Sequence, residues 1–313
     1  MLARPEALLE VRGLHVRYPK DRVALDDVSF SLPPRTLCAV VGPNGAGKST
    51  LVKALCGSVV PSEGAVRVGG ETLRPRRKRS HLIGLVPQSI GLYPFLTGRE
   101  NLSVFAKIAG LSSSDRDERI AAALDTVQMS SLAGRRVENM SGGMQRRINV
   151  AAAILHRPPI IVFDEPTAGV DLPARDVIHG LATKLRDAGH AVLLVTHELD
   201  HAEMLCDHVL VLERGRLRGF APPTHLLENH YGDRREVVVH FRGLPDIESL
   251  AALNAFHFGQ REHPTVWSTM TDGSQTHLIR EFLSALPGRD RTIREVAVRR
   301  PGLSALIHEL EAG

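Results

Sequence analysis

The sequence contains no hydrophobic run long enough to cross a membrane. Its 313 residues are 43% hydrophobic and 24% charged, but no apolar stretch approaches the roughly 20 residues that a membrane-spanning helix needs. The N-terminus also lacks the pattern of a cleavable signal peptide. These absences favour a globular chain that works in the cytoplasm.

Cysteine is scarce, and charge of either sign is nearly balanced. The three cysteines, Cys38, Cys56 and Cys206, lie among apolar neighbours, which favours reduced core residues over a disulfide or metal framework. The net charge of +4 is small for this length, so charge alone indicates neither a nucleic acid nor a membrane surface as partner. The length allows one large or two smaller domains.

A glycine-rich loop with the spacing Gly-x4-Gly-Lys-Ser/Thr lies between an apolar run at 37–41, typical of a buried strand, and a helix-like run at 51–55. Its glycines let backbone N–H groups curl around phosphate oxygens, and the helix N-terminus adds a partial positive charge. Lys48 is expected to reach the terminal phosphates and Ser49 to hold magnesium. The residues predicted to bind nucleotide are Gly42, Pro43, Asn44, Gly45, Ala46, Gly47, Lys48, Ser49 and Thr50.

Two antiparallel strands are predicted ahead of this loop. Apolar and polar residues alternate over 8–18 and again, less strictly, over 23–32. Tyr18 ends the first strand, where its ring could stack on an adenine or simply pack against its neighbours. A basic segment at 74–79 follows later and is typical of a solvated loop.

The later motifs, taken with the phosphate loop, resemble those of the ATP-binding subunit of an ATP-binding-cassette (ABC) transporter. Ser141-Gly142-Gly143 precedes a helix-like run, and the apolar run 160–163 leads into Asp164-Glu165. The resemblance covers residues 8–228 and implies that the loop at 42–49 is the Walker A motif. It further implies that Gln88 belongs to the Q-loop and that Ser141 to Gly143 form the signature loop. Asp164 and Glu165 correspond to the Walker B motif, Asp171 to the D-loop and His197 to the H-loop.

The two adjacent acids of the Walker B strand are expected to take different roles. A buried strand that ends in Asp164 and Glu165 would bring one carboxylate beside the magnesium and the next beside the attacking water. Glu165 is therefore the candidate general base. The resemblance implies that His197 and Gln88 assist it, and that Ser49, Gln88 and Asp164 hold Mg²⁺ while the chain binds ATP.

A second anion-binding helix end is predicted at the signature loop. Ser141 begins a helix whose first residues, Gly142 and Gly143, leave bare N–H groups pointing outward. The resemblance implies a head-to-tail dimer, with this chain or a paralogous cassette, in which each signature loop closes on the other chain's ATP. It also implies that Asp171 belongs to the nucleotide-binding residues. Met140 and Met144 depart from the usual Leu-Ser-Gly-Gly-Gln signature, and similar cassettes in drug exporters also carry methionine after the second glycine.

The segment His197-Glu198-Leu199-Asp200-His201 also fits the His-Glu-x-x-His pattern of zinc proteases. That pattern requires both histidines on one helix. Here the apolar run 191–195 predicts a strand that ends just before His197, which puts this histidine in a strand-to-helix loop. We therefore favour the H-loop interpretation over a zinc site.

The fold predicted is α/β: an ABC ATPase cassette with a RecA-like P-loop core and antiparallel β and α-helical subdomains, followed by a small C-terminal α/β domain. The cassette is expected at 1–228, with its helical subdomain at about 97–156. The C-terminal unit at 233–313 alternates strands and helices and resembles the tail of ATP-binding subunits in daunorubicin-type and other ABC-2 exporters. It shows no catalytic constellation and suggests regulation or dimer contact.

The function predicted is ATP hydrolysis by a cytoplasmic subunit, peripheral on the membrane, that dimerises on ATP and drives a separate permease, most simply an exporter. The permease is expected to contact residues 88–102. Two alternatives remain open: a soluble ABC ATPase acting on the ribosome or nucleic acid, and a cassette that drives a non-transport machine of the cell envelope. One uninterrupted cassette without sustained heptads argues against the soluble class and against a nucleic-acid partner.

Overall fold

The computed structural model describes residues 7–19, 22–73, 81–261, 263–272, 276–286 and 292–312. The chain forms two compact units, Met1–Pro222 and Pro223–Gly313. This boundary precedes the predicted one at 228–233, because helix α7 (Pro223–Tyr231) packs against the C-terminal helix of the second unit. The basic segment at 74–79 lies outside the described residues. Within them, no helix is long and apolar enough to cross a membrane.

A six-stranded sheet forms the centre of the first unit. Its strands lie in the order β10-β9-β3-β8-β7-β6, and all neighbours are parallel except the β9–β10 hairpin. Strands buried on both faces need continuous apolar runs, and all six residues of β3 are buried. The strands are β3 (Thr36–Val41), β6 (Ile83–Val86), β7 (Ile160–Asp164), β8 (Ala191–Val195), β9 (His208–Glu213) and β10 (Arg216–Ala221).

Helices leave this sheet from the carboxyl ends of three neighbouring strands. Helix α1 (Lys48–Leu55) follows β3, α5 (Leu172–Asp187) follows β7, and α6 (Leu199–Leu205) follows β8. In open parallel sheets ligands bind at this edge, where the connecting loops converge. The phosphate loop, the Asp164-Glu165 pair and His197 all lie on these connections.

An antiparallel sheet packs against the central one. Strands β1 (Leu9–Tyr18), β2 (Arg22–Leu32), β4 (Glu63–Val68) and β5 (Glu71–Thr72) are arranged in the order β2-β1-β4-β5. Buried residues alternate along β1 and β2 with a period near two, as predicted. Their buried side chains, such as Leu14 and Val28, belong to the same apolar core as Val40 of β3.

Three helices occupy the segment predicted to be helical. They are α2 (Gly98–Ile108), α3 (Ser113–Thr126) and α4 (Gly142–Ile154), and each packs against the other two. The sequence marks where they begin: Thr97 and Glu100 form a reciprocal capping box on α2, and Ser112 caps α3. Ser141 caps α4, so the signature loop is also a helix start.

The second unit has an antiparallel sheet in the order β12-β13-β11-β14. Strands and helices alternate along most of its described residues. Buried Glu236 receives hydrogen bonds from Arg261 and Arg299, which compensates its charge. The elements are α7, β11 (Arg235–Phe241), α8 (Ile247–Ala255), β12 (Gly259–Gln260), β13 (Val266–Thr271), α9 (Thr276–Ala285), β14 (Ile293–Arg299) and α10 (Leu303–Ala312).

Candidate functional site

The phosphate loop runs from β3 into α1 and depends on two glycines that no other residue replaces easily. Gly42 has φ 150°, and a Cβ there would lie 2.1 Å from the carbonyl oxygen of Leu212. Gly47, the N-cap of α1, has φ 107°, and its Cβ would lie 2.7 Å from the oxygen of Ala24. The loop therefore folds tightly against its neighbours and leads directly into the start of α1, the kind of helix end that favours an anion.

Lys48 lies at the first position of α1 and is only 7% exposed. Its Nζ donates hydrogen bonds to the carbonyl oxygens of Gly42, at 2.6 Å, and Pro43, at 3.0 Å. These bonds hold the ammonium group across the mouth of its own loop. An ammonium group carries positive charge and only donates hydrogen bonds, so this position suits Lys48 to contact an anion bound there.

A cavity of about 430 Å³ opens above this loop. Ten of the predicted site residues line it, together with four that the sequence did not single out. The predicted ones are Tyr18, Asn44, Gly45, Ala46, Gly47, Lys48, Ser49, Thr50, Glu165 and His197. The four others are Arg22, Val23, Ala24 and Lys53.

Glu165 is held from two sides at the edge of the cavity. Gln88 Nε2 donates to Glu165 Oε2 at 2.7 Å, and His197 Nε2 lies 2.9 Å from Glu165 Oε1. The backbone of Glu165 has φ 46°, a left-handed conformation that is uncommon for a residue other than glycine. Its N–H donates to the oxygen of Val195 at 3.0 Å, which fixes this strained turn.

Asp164 ends β7 directly before Glu165. Burial raises the pKa of its carboxyl group, and the charge of Glu165 raises it further, while Lys53 acts in the opposite direction. Lys53 compensates only part of the negative charge of these two adjacent carboxyl groups, which favours binding of a cation. Asp164 and Gln88 lie outside the lining of the cavity itself.

The signature loop and the predicted D-loop residue lie side by side. Ser141 caps α4 by accepting from the N–H of Met144, and Asp171 caps α5 by accepting from the N–H of Ala174. A Cβ on Gly143 would lie 2.8 Å from the Cβ of Ala174, so this glycine permits the two helix starts to approach. Ser141, Gly142, Gly143 and Asp171 do not line the cavity of their own chain.

Two side chains around the signature loop, Met140 and Gln145, face their own chain. Met140 is 6% exposed and belongs to the core. The side chain of Gln145 donates to the carbonyl oxygens of Val137 and Met140, each at 3.1 Å. Gln145 therefore stabilises the turn before α4.

Arg146 is a buried residue that the sequence did not reveal. It follows Gln145 on α4 and is 3% exposed. Its guanidinium group donates to the carbonyl oxygens of Pro87 and Gln88, so the second turn of α4 holds the loop that carries Gln88. Charge on a helix normally predicts exposure, and only the structure shows this contact.

The His-Glu-x-x-His pattern does not form a zinc-protease site. Helix α6 begins at Leu199, and His197 lies in the preceding loop, beside Glu165. Glu198 and His201 instead approach His179 of α5, 22 residues upstream of His201 in the chain. Sequence spacing gave no signal for His179.

Comparison with known proteins identifies the family. The ABC transporter family model matches residues 25–168. The linearmycin resistance ATP-binding protein LnrL of Bacillus subtilis is 35% identical over 227 residues, which cover 72% of this chain and 73% of that protein. The Nod factor export ATP-binding protein I of Ralstonia nicotianae is 32% identical over 311 residues, 94% of each chain, and so includes the second unit.

Similar solved structures point to the same family. CbiO1 from Clostridium perfringens, part of the ABC transporter complex cbiONQ, has a TM-score of 0.66 at 25% identity, over 72% of this chain and 92% of that one. A dimeric structure of the ATP-binding cassette MJ0796 with ADP and phosphate has a TM-score of 0.61 at 26% identity. The match covers 68% of this chain and 98% of that one. The fold and site thus define an ABC-type P-loop ATPase. The chain belongs to the ABC transporter family, as an ATP-binding subunit whose ATP hydrolysis is coupled to transport.

Proposed function

We propose that this cassette hydrolyses ATP at the cavity above residues 42–50 to power export through a separate membrane permease. The observation that carries the proposal is Glu165, which is strained, held by Gln88 and His197, and half-buried at the edge of a phosphate-binding cavity. Strained residues at such a position are typical of catalytic sites.

Each residue has a role that its contacts support. Glu165 orients the attacking water and accepts its proton, and His197 holds the carboxylate and the water in line. Gln88 links the same carboxylate to the loop after β6. Lys48 and the N–H groups of residues 44–50 stabilise the phosphate charge, and Tyr18 offers its ring to the adenine.

The site also fits a magnesium ion. Ser49 lines the cavity, and Asp164 is a half-buried carboxyl group whose charge is disfavoured by burial and by Glu165. We assign Ser49, Asp164 and Gln88 as the groups that would hold Mg²⁺, all through oxygen. The ion would neutralise charge on the phosphate oxygens.

Two cassettes are proposed to pair head to tail. Ser141, Gly142, Gly143 and Asp171 form a second phosphate-binding end that is remote from the cavity lining of its own chain. A second copy of this chain, or a paralogous cassette, supplies the ATP that this end contacts. The dimeric structure of MJ0796, a cassette of similar fold, supports such a pairing.

The permease is proposed to contact the segment from Gln88 to Leu102. Tyr93 is 51% exposed and Phe95 is 74% exposed, next to the loop that carries Gln88. Exposed aromatic residues of this kind often mark a protein contact. Relatives named for linearmycin resistance and Nod factor export support an exporter. The subunit would act on the cytoplasmic face of the membrane, without nucleic acid.

The test uses the Glu165→Gln variant, which is expected to bind ATP, lose most hydrolysis and accumulate as an ATP-bound dimer. A tagged form is incubated with ATP and detergent-solubilised membranes of the host, and co-purifying proteins are identified. The control is the Lys48→Ala/Glu165→Gln double variant, which should bind ATP about 10- to 100-fold more weakly and therefore form less of the ATP-bound dimer at the same ATP concentration.

Recovery of one polytopic membrane protein, dependent on ATP, would support the proposal and identify the permease. Recovery of ribosomes or nucleic acid would contradict the proposal and indicate a soluble ABC ATPase that acts on the ribosome or on nucleic acid. A membrane protein that has no transport activity when reconstituted with the wild-type chain would indicate an envelope machine. ATP hydrolysis at the wild-type rate in Glu165→Gln would contradict the role of Glu165 as the general base.

A further inference from the structure

A cluster of two histidines and one glutamate lies away from the nucleotide cavity. His179 comes from the middle of α5, and Glu198 and His201 come from the start of α6. One ligand atom of each lies within 4.8 Å of the other two. His179 is 3% exposed, and the rings of His179 and His201 have centroids 4.6 Å apart.

The polar atoms that face each other in this cluster are not hydrogen-bonded. His179 Nε2 and Glu198 Oε2 approach to 3.1 Å. Their alignment does not meet hydrogen-bond geometry, and within the part of the chain that the structure describes neither atom has another partner. Leaving a buried polar atom unsatisfied costs about 1–3 kcal/mol, so a ligand that satisfies both would be favoured.

We propose that His179, Glu198 and His201 bind one Zn²⁺ ion. Two imidazole nitrogens and one carboxylate oxygen are a common protein donor set for zinc, with water as the fourth ligand. Zinc bonds of about 2.0–2.1 Å separate tetrahedral ligand atoms by about 3.3 Å. The 3.1 Å pair already matches this spacing, and only the His201 ring has to move closer.

The surroundings orient these groups. Arg175 donates to Glu198 Oε1 at 2.8 Å, which leaves Oε2 turned toward His179. Asp176 Oδ1 lies 4.0 Å from His201 Nε2 and offsets the charge of Arg175. Burial lowers the pKa of His179, which favours the neutral form of imidazole that binds a metal. The side chain of His201 is 33% exposed, which gives an ion access from solvent.

The site is distinct from the magnesium site of the ATPase. Mg²⁺ prefers oxygen ligands, whereas imidazole favours zinc and neighbouring transition metals. A bound ion would join α5, which begins after Asp171, to the residue that follows His197. It would therefore tie two loops of the nucleotide site together without contacting nucleotide.

The experiment measures zinc binding by the untagged full chain after treatment with a chelator. A chromophoric competitor gives the affinity, elemental analysis gives the stoichiometry, and thermal unfolding is followed with Zn²⁺ or Mg²⁺. We expect one zinc per chain and a higher Tm with Zn²⁺ only. His201→Asn and Glu198→Gln should each weaken binding at least about tenfold.

His197→Asn and the exposed His225→Asn are the controls, and both should bind zinc within about threefold of wild type, a factor worth less than 1 kcal/mol. His201 is partly exposed, so its variant is expected to fold even where a change at buried His179 does not. The proposal is overturned if the wild-type chain binds no stoichiometric zinc. It is overturned equally if His201→Asn or Glu198→Gln leaves the affinity unchanged, or if His197→Asn abolishes binding.

Discussion

Arg146 Nη1 donates a hydrogen bond to the carbonyl oxygen of Gln88 at 2.7 Å. The same guanidinium group reaches the oxygens of Pro87, at 2.8 Å, and Ala168, at 3.4 Å. Arg146 lies five residues after Ser141, and Ala168 lies three after Glu165. One buried side chain thus joins the signature helix, the loop that holds Glu165 and the turn that follows Glu165.

Arg146→Leu should destabilise the cassette by about 3 kcal/mol, because three carbonyl oxygens lose a charged donor. ATP hydrolysis should fall more than ATP affinity, since Arg146 positions Gln88 and does not line the cavity. Urea unfolding, nucleotide titration and steady-state ATPase rates check this. Arg147→Leu is the matched control: the hydrogen bond from Arg147 to the carbonyl oxygen of Gln128 is 3.4 Å long, and its loss should cost little. Equal effects of both variants would contradict the positioning role.

Gly42→Ala should disrupt the phosphate loop, whereas Gly45→Ala should be tolerated better. The added methyl group at position 42 would lie 2.1 Å from the oxygen of Leu212, but at position 45 nothing lies within 4 Å. Both backbones have positive φ, so both variants carry strain of about 1–3 kcal/mol, and only Gly42→Ala adds a steric overlap. Thermal unfolding without nucleotide separates the backbone strain from the steric overlap. A similar loss of Tm in both variants would mean that the strain at positive φ accounts for the whole effect.

Much of the fold follows from local sequence pattern, and the long-range contacts do not. Apolar runs at 37–41 and 191–195 predict buried strands, and the caps at Thr97 and Ser141 mark helix starts. The motif residues were recognised by spacing and order. Arg146 and His179 were not recognised, because their partners are distant in the sequence. Gln88 is 58 residues from Arg146, and Glu198 and His201 are at least 19 residues from His179. The place of α7 in the second unit likewise depends on a long-range contact, with the helix Leu303–Ala312.

Lys48→Ala should weaken nucleotide binding by about 10- to 100-fold, the loss expected for one charge-assisted hydrogen bond to phosphate. Lys53 provides the matched control, because it also lines the cavity but is exposed. Solvent competes for an exposed ammonium group, so Lys53→Ala should have the smaller effect. Titration with a fluorescent ATP analogue measures both. Normal affinity in Lys48→Ala would contradict the assignment of the phosphate loop.

Asp164→Asn should raise the thermal stability of the nucleotide-free protein while it lowers ATPase activity. Burial and the charge of Glu165 raise the pKa of Asp164 above its ordinary value of 3.8. Above the raised pKa the folded chain carries a disfavoured carboxylate, which the neutral amide removes, so Tm should rise by a few degrees at neutral pH. As pH falls through the raised pKa, the wild-type carboxyl group takes up a proton in the folded state, and the advantage of the variant should shrink. It should vanish below pH 3.8, where both states of the wild type are protonated.

Asp26→Asn is the control of opposite sign, because a hydrogen bond from Arg216 lowers the pKa of Asp26. Its removal should lower Tm at neutral pH, and that loss should diminish as pH falls through the lowered pKa. Thermal unfolding in chelator across this pH range measures both variants, and addition of Mg-ATP should stabilise the wild type more than Asp164→Asn. A neutral or lower Tm in Asp164→Asn would mean that its carboxylate is compensated without a cation, and would remove the argument for Mg²⁺ at this residue.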